Sequence, residues 1–463
     1  MGSLSAPTSR ASKMLSSRGQ TAREDGSKGI IWDVISNLWH PETNPDGYVS
    51  VGVAENILLH DYLVDYLHAN LKLPTRYLTY NDGGTGSGEL KGAVSHFLNR
   101  HLKPFRPIEP SHVVMTNGCS SAVEQLSWAF TEPGEGILLG RPYYGTFITD
   151  ISLRPGAEVV PVEFDGVDPL GAGAVARYEK ALVDFEANTG KRVRAVMLCH
   201  PHNPLGRCYP RSVLIELMKF CQARQLHLIS DEIYALSTWE NKVDPDNSAT
   251  KFESVLSIDT ANVIDPDLVH VLWGMSKDFG ANGLRVGTII SQSNPDLQMA
   301  LKATSLYSYV SGLSDQITAA ILRDDAFTDK YIQLNREGLS NAHEYMARVL
   351  QKFNIEYLRG CNAGFFLWIN LGKKYLEANP ENEGVHLDLT ATIMQKLLEK
   401  KVFLANGTGF GSEKPGWFRV VFAHPIPYLE EAMRRILAAI LPENYSAEAL
   451  CSSLHETTLN ASG

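Results

Sequence analysis

Residues 269–291, VHVLWGMSKDFGANGLRVGTIIS, set one lysine just past a buried apolar run. Val269, Val271, Leu272 and Trp273 read as a core strand, and the chain then breaks into a small polar turn holding Ser276 and Lys277. A second apolar run, 286–290, follows closely, so the turn belongs at the mouth of a sheet. A lone lysine is ordinarily solvated. Here Gly280, Gly283 and Gly287 let backbone approach a ligand closely, and Arg285 stands eight positions after the lysine.

With 463 residues, 44% of them hydrophobic, the chain is long enough for one large domain and a smaller one. Its 42 basic and 52 acidic residues leave a net charge of −10 with no basic run, which argues against a nucleic-acid partner. The six cysteines, 119, 199, 208, 221, 361 and 451, form no CxxC pair and read as reduced thiols of a cytoplasmic protein, with no metal site. No apolar run reaches the roughly 18 residues a membrane span needs. Residues 1–28 are rich in Ser, Gly and charge and lack the apolar centre of a signal peptide; they read as a disordered tail.

Several other segments repeat the pattern of an apolar run that stops on chemistry-bearing residues. In 112–130 a strand (VVMT) runs through NGCSSA into a helix, so that Gly118, Cys119 and Ser120 lie at the helix's positive end, where a phosphate would sit; a plain serine cap would look the same. The strand 137–139 is followed by RPYYGTF, whose tyrosines could equally be core residues. The strand 194–199 stops at HPHNPLGR, a turn by its local chemistry around Asn203. The strand 226–230 ends on Asp231, Glu232, Ile233 and Tyr234, and a carboxylate at a strand's carboxyl end suits the ligand crevice of an open α/β sheet.

Nearer the start, 48–58 is an extended segment, YVSVGVAENIL, and 77–88 is a glycine-rich loop, YLTYNDGGTGSG, without a Walker lysine. Towards the end, 327–353 is a long amphipathic helix, after which strands and helices alternate in a separate unit: IEYLRGCNAGFFLWINL, a helix 387–401, VFLANGTGF, GWFRVVFAH and a helix 429–441. Arg419 lies inside WFRVVF, and a buried arginine wants an anionic partner, either a structural carboxylate or a ligand.

Taken in order, these segments resemble fold-type I pyridoxal phosphate enzymes of the class I/II aminotransferase family, over about residues 48 to 440. Within it, GVAEN, PYYGTF and PGWFR are most similar to 1-aminocyclopropane-1-carboxylate (ACC) synthase-like proteins. The resemblance implies an α/β fold: a large domain with a mostly parallel, seven-stranded-type sheet, and a smaller α+β domain. The expected division is 29–75 as the N-terminal part of the small domain, 76–314 as the large cofactor-binding domain, 315–442 as the C-terminal small domain, and 443–463 as a tail.

It also implies roles. Lys277 would hold the cofactor aldehyde as a Schiff base and act as the general base. Gly118, Cys119, Ser120, Ser276 and Arg285 would hold the phosphate, Tyr144 would stack on the ring, Asn203 and Tyr234 would reach the ring oxygen, and Asp231 would keep the ring nitrogen protonated. Arg419 would clamp the substrate's α-carboxylate, with Glu55 and Tyr80 in the substrate pocket.

Two departures stand out. Gly274 occupies a position where many relatives keep a phosphate-binding serine, leaving Ser276 or Ser120 to compensate. The plant D-Y-H-G motif, whose tyrosine reaches the partner subunit's site, is absent, with Tyr80 as the aromatic within reach; this argues against S-adenosylmethionine as substrate.

The expected activity is elimination, cyclisation or replacement at Cβ or Cγ of an amino acid in an external aldimine with pyridoxal phosphate. The alternatives are an aminotransferase and a non-catalytic amino-acid-sensing module, against which the retained Lys277, Asp231 and Arg419 argue. A homodimer with shared active sites is expected by resemblance.

Overall fold

A computed structural model of the chain describes residues 15–27, 29–244, 249–382 and 388–442. The strands among them are β1 (Val49–Ser50), β2 (Val113–Thr116), β3 (Gly136–Gly140), β4 (Glu158–Val162), β5 (Val193–Cys199), β6 (His227–Asp231), β7 (Val269–Gly274), β8 (Gly287–Ile290), β9 (Glu356–Tyr357), β10 (Phe366–Asn370), β11 (Val402–Phe403), β12 (Ala405–Asn406) and β13 (Trp417–Val421).

Seven of them form one sheet in the order β2-β8-β7-β6-β5-β3-β4. Only β8 runs against its neighbours. This is the mostly parallel α/β sheet that the family resemblance implies. Its central strands are apolar on both faces because helices cover both, and β7 is buried along its whole length. All strands but β8 therefore end on the same edge, and the residues that follow β2, β3, β5, β6 and β7 converge there.

The second unit is an antiparallel sheet, β12-β13-β10-β9, in which Trp368 pairs with Arg419. Helix Ile426–Ile440 presents Leu429, Met433, Ile436, Leu437 and Ile440 at helical spacing, all fully buried. Burying each such side chain contributes about 1.5–3 kcal/mol, so Leu437→Ala is a change that would loosen this helix by about 2–5 kcal/mol. Near the amino end, β1 pairs in parallel with β11, which stitches the segment before GVAEN to the carboxyl-terminal half.

Several boundaries differ from the sequence reading. Residues 17–27, read as part of a disordered tail, form the helix Ser17–Ser27, whose first turn is supported by the Ser16 hydroxyl accepting from the Gly19 N–H at 3.2 Å. It has no apolar stripe, so no periodicity announces it. Residues 1–14, residue 28 and the tail from 443 lie outside the described residues. A short helix, Ile31–Ile35, follows. The helix Leu389–Glu399 starts from an Asp388 cap that accepts from the Ala391 N–H at 3.0 Å, and residue 387 is outside the described set.

Candidate active site

Lys277 sits in a short helical turn, Met275–Asp278, at the carboxyl end of β7. Its Nζ donates to the carbonyl of Ala54 at 2.5 Å, so the GVAEN segment lies directly against the lysine. Burial, helped by the Arg419 cation, brings the Lys277 ammonium down to about 8, against the pull of Glu55 and Asp231. The segment is fixed in place from several directions. Asn282 donates to Glu55 Oε1 at 2.8 Å, Asn56 donates to Asn335 Oδ1 at 2.7 Å, and His60 Nε2–H donates to the Gly280 carbonyl at 3.0 Å. Gly280 is at φ +61 and any Cβ there would run into the Asn56 carbonyl, so glycine is required on both counts.

Asp278, next to the lysine, was not singled out by the sequence. Its carboxylate accepts from Trp273 Nε1 at 2.9 Å, from the Ser237 hydroxyl at 2.7 Å and from the Leu236 N–H at 3.2 Å. It pins the lysine turn to the segment that carries Tyr234. No short motif reveals this, because Leu236 and Ser237 lie 42 and 41 positions upstream.

Asp231 is the last residue of β6, buried, with Oδ1 accepting from the Ile233 N–H at 3.2 Å. Desolvation lifts its carboxyl to about 7, opposed by that hydrogen bond and by Lys277. Its neighbour Glu232 points to the other face, where Oε1 accepts from the Val255 N–H at 2.9 Å; strand alternation separates a structural acid from a site acid. Burial raises the Tyr234 phenol well above its usual range, so it stays a hydrogen-bond donor. The Tyr144 phenol is raised for the same reason, and its ring meets Phe147 edge-on at 5.2 Å.

Arg419 is 2% exposed. One Nη donates to Asn203 Oδ1 at 3.0 Å and the other to the Gly52 carbonyl at 2.6 Å, while Phe410 and Phe366 flank the guanidinium. Its Nε is buried without an acceptor, and among the described residues no carboxylate pairs with it. A structural ion pair is thus not what holds this arginine.

At the opposite end, Gly118 (φ +82) precedes the helix Cys119–Phe130. A Cβ on Gly118 would collide with the Arg285 guanidinium, and one on Gly287 would meet the Gly118 carbonyl carbon at 2.5 Å and the Cys119 nitrogen at 2.6 Å. Arg285 itself is in the left-handed region at φ +52, with Nη1 donating to the Asn282 carbonyl at 2.9 Å. Three elements therefore close on one another around free helix N–H groups and one arginine, a cradle shaped for an anion. Gly274 is packed equally closely: a Cβ there would come 2.5 Å from the Val286 carbonyl and 3.3 Å from Cys119 Sγ, which leaves no room for a serine. Ser276 is buried beside it and Ser120 is exposed at the helix start. The Cys119 thiol is pushed far up by burial and by Asp231, so this residue can offer a ligand its backbone N–H but no thiolate.

Tyr80 stands apart. It is 77% exposed, its ring meets that of Tyr309, and within this chain it touches none of the residues above. The structure thus brings together Glu55, Lys277, Asp231, Tyr234, Asn203, Arg419, Tyr144 and the Gly118–Arg285 cradle, and leaves Tyr80 outside.

A family model described as aminotransferase class I and II matches residues 52–436. The chain belongs to this family. A probable aminotransferase, gliI, of Aspergillus fumigatus is 34% identical over 84% of this chain and 88% of its own length. The 1-aminocyclopropane-1-carboxylate synthase 7 of Arabidopsis thaliana is 32% identical over 90% and 92%. A probable inactive 1-aminocyclopropane-1-carboxylate synthase-like protein 2 of Mus musculus is 33% identical over 86% and 67%. Among solved structures, an aspartate aminotransferase variant of Thermus thermophilus complexed with tryptophan superposes with a TM-score of 0.69 at 19% identity, covering 92% of this chain and 99% of that one.

As a class I/II aminotransferase-family enzyme, the protein depends on pyridoxal 5'-phosphate, and its residues fit that group. The Gly118–Arg285 cradle is anion-shaped, the Asp231 carboxylate lies at the sheet edge, and Lys277 is within electrostatic reach of both Asp231 and Arg419, whose Nε is orphaned. Among the described residues no helix is long and apolar enough to cross a membrane.

Proposed function

We propose that this family member is an ACC synthase-like lyase or transferase, which removes or replaces a leaving group at Cβ or Cγ of an amino acid. The reading is carried by the Glu55 carboxylate, fixed by Asn282 at 2.8 Å and felt electrostatically by Lys277. An acid at this point disfavours a substrate with a second carboxylate and suits one whose side chain carries a cationic or proton-accepting leaving group.

Bound pyridoxal phosphate supplies the electron sink for a carbanion at Cα. The chain's residues do the rest. Arg419, with a free Nε and no protein carboxylate, binds the α-carboxylate and so orients the Cα–H bond. Lys277 Nζ, whose ammonium is brought down to about 8 and so yields the neutral amine far more readily than an ordinary lysine, takes the Cα proton. With the cofactor bound, Asp231 would hold the proton on the ring nitrogen, Tyr234 and the Asn203 amide NH2 would donate to the ring oxygen, and Tyr144 would pack on the ring. Arg285 with the N–H groups of Cys119 and Ser120 would retain the phosphate, assisted by Ser276. Lys277 can then return the Cα proton to a proton-accepting leaving group, while the Glu55 carboxylate attracts a cationic one.

A homodimer is part of this reading. The loop 77–87 packs against 305–315 through the Tyr309 hydroxyl on the Tyr80 carbonyl at 3.3 Å and through Ser87 on Asp315. Together they expose Leu78, Tyr80, Leu306, Tyr307 and Leu313, an apolar patch that a second copy would cover. Tyr80 would then serve the partner's site.

Incubation of the loaded enzyme with single amino acids, without a 2-oxo acid, tests the proposal. Product accumulating over many turnovers with the cofactor's spectrum restored supports it. One conversion per active site that then stops makes the protein an aminotransferase, the reading favoured by its likeness to gliI.

A further inference from the structure

The helix Thr146–Ser152, which begins two residues after Tyr144, carries Asp150 towards the anion cradle. Phe147 and Ile151 of this helix share a core cluster with Ala122, Val123 and Leu126, so it is packed firmly on the helix that Gly118 opens. Ser120, the third residue of the cradle, is close enough to lower the Asp150 carboxyl electrostatically, while Asp150 Oδ2 is buried and has no hydrogen-bond partner among the described residues. The charged groups that face it are Asp231 from β6, Glu124 from the helix Cys119–Phe130, and Arg285 from the loop before β8; Glu124 is itself 3.6 Å from Arg154. Tyr144 lies within electrostatic reach as well.

A buried carboxylate oxygen without a donor is unfavourable, and a negative charge beside the place where a dianion binds is more so. Both difficulties vanish if the group is neutral. We propose that Asp150 is a cofactor-binding residue that works as the acid: its Oδ2–H donates to the phosphate held by Arg285 and the helix N–H groups, while its other oxygen keeps the Ser120 hydroxyl in place. Burial, together with Asp231 and Glu124, already lifts this carboxyl to about 7, against Ser120 and Arg285, before any phosphate arrives. A bound phosphate pushes it higher, so binding near neutral pH takes up a proton at this position.

The inference rests on the cofactor reading, and the test separates the two. Pyridoxine 5'-phosphate, which cannot join Lys277, is titrated into apo wild-type, Asp150→Asn and Asp150→Ala proteins across about pH 6 to 9, with unphosphorylated pyridoxine as the control. Asn offers a permanent N–H donor. Wild-type affinity should therefore fall, relative to Asp150→Asn, by up to about tenfold per pH unit above the free-protein value of about 7, and level off once the bound-state carboxyl ionises. Asp150→Ala should bind weakly throughout, and the pyridoxine control should not distinguish wild type from Asp150→Asn. Calorimetry in buffers of different ionisation enthalpy should show more proton uptake in wild type than in Asp150→Asn. Equal pH slopes and equal proton uptake in folded wild type and Asp150→Asn would overturn the role while leaving the cofactor site intact. Failure of wild type to bind pyridoxal phosphate or pyridoxine 5'-phosphate at any pH would overturn both.

Discussion

Arg419 donates to Asn203 Oδ1 at 3.0 Å, which ties β13 of the four-stranded sheet to the loop that leaves β5 of the large sheet. The Asn203 oxygen is thereby occupied, and its NH2 is the part left to face a ligand. Arg419 meanwhile has neutral oxygens for partners and keeps its full charge.

Asn203→Asp would give that charge an internal partner. The variant should fold normally, and its KM for the amino-acid substrate should rise about a hundredfold, since a buried, hydrogen-bonded charge contact is worth about 2–5 kcal/mol. Arg419→Lys should also lower kcat/KM by about a hundredfold, because an ammonium cannot reproduce a two-point clamp. Steady-state kinetics on the two variants check this, and near-wild-type KM in both would remove Arg419 from carboxylate binding.

Lys277→Ala should lower turnover by at least about a thousandfold with little change in melting temperature, as the side chain makes one hydrogen bond, to Ala54. In the wild type the neutral amine is the nucleophile. The rate at which apo protein joins pyridoxal phosphate should therefore rise with pH and level off above about 8. Arg419 helps depress the lysine, so Arg419→Met should move that midpoint upward. Stopped-flow absorbance across the pH range measures both effects; a midpoint unchanged in Arg419→Met would mean the two cations do not communicate.

Gly118→Ala tests the cradle. The left-handed φ of +82 costs an alanine about 1–2 kcal/mol, and its Cβ displaces the Arg285 guanidinium. Cofactor dissociation should be at least about tenfold tighter in wild type, a difference of about 1.4 kcal/mol or more. Equilibrium titration of apo protein with pyridoxal phosphate gives the ratio, and an unchanged affinity would show that Arg285 does not need its present position.

The legible parts of this site were those in which a few consecutive residues carry both the turn and the chemistry. SKDFG, NPLG and DEIY each follow an apolar run, so the sheet edge and its side chains could be read together. Gly274 was legible as a departure but not as a necessity, because the Val286 carbonyl that excludes its side chain comes from the neighbouring strand. Asp278 and Asp150 were missed for the same physical reason: their partners are distant in sequence, and a carboxylate on a short helix looks like any solvated acid. Tyr80 was read as a pocket residue in a site shared between subunits; within its own chain its surroundings are Tyr309 and solvent.

Leu306 and Tyr307 are 66% and 83% exposed, and the same surface includes Leu78 and Tyr80. If a second copy covers it, Leu306→Asp with Tyr307→Asp should shift the protein to a monomer in sedimentation velocity and lower activity per chain. Tyr80→Ala should impair kcat/KM in a protein that stays dimeric. A monomeric wild type would sink this arrangement.

Asp231→Asn should trade function for stability. The carboxyl is raised to about 7 in the folded chain from an ordinary 3.8, so its ionised form is disfavoured by folding. The penalty is absent below about pH 4, grows as the pH rises between the unfolded and folded values, and is complete above about 7, where it reaches up to about 4 kcal/mol at 1.4 kcal/mol per unit. Nearby Lys277 offsets part of it while protonated. Apo Asp231→Asn should therefore melt above apo wild type near pH 8 and together with it near pH 4. Loaded with cofactor, the order of usefulness reverses, since asparagine cannot hold a proton on the ring nitrogen, and turnover should fall by about a hundredfold or more. Thermal melts of the apo pair at the two pH values, set beside kcat, decide the matter. A variant that is less stable than wild type at pH 8 would mean that the buried acid is already compensated inside the protein and is not waiting for the cofactor's positive charge.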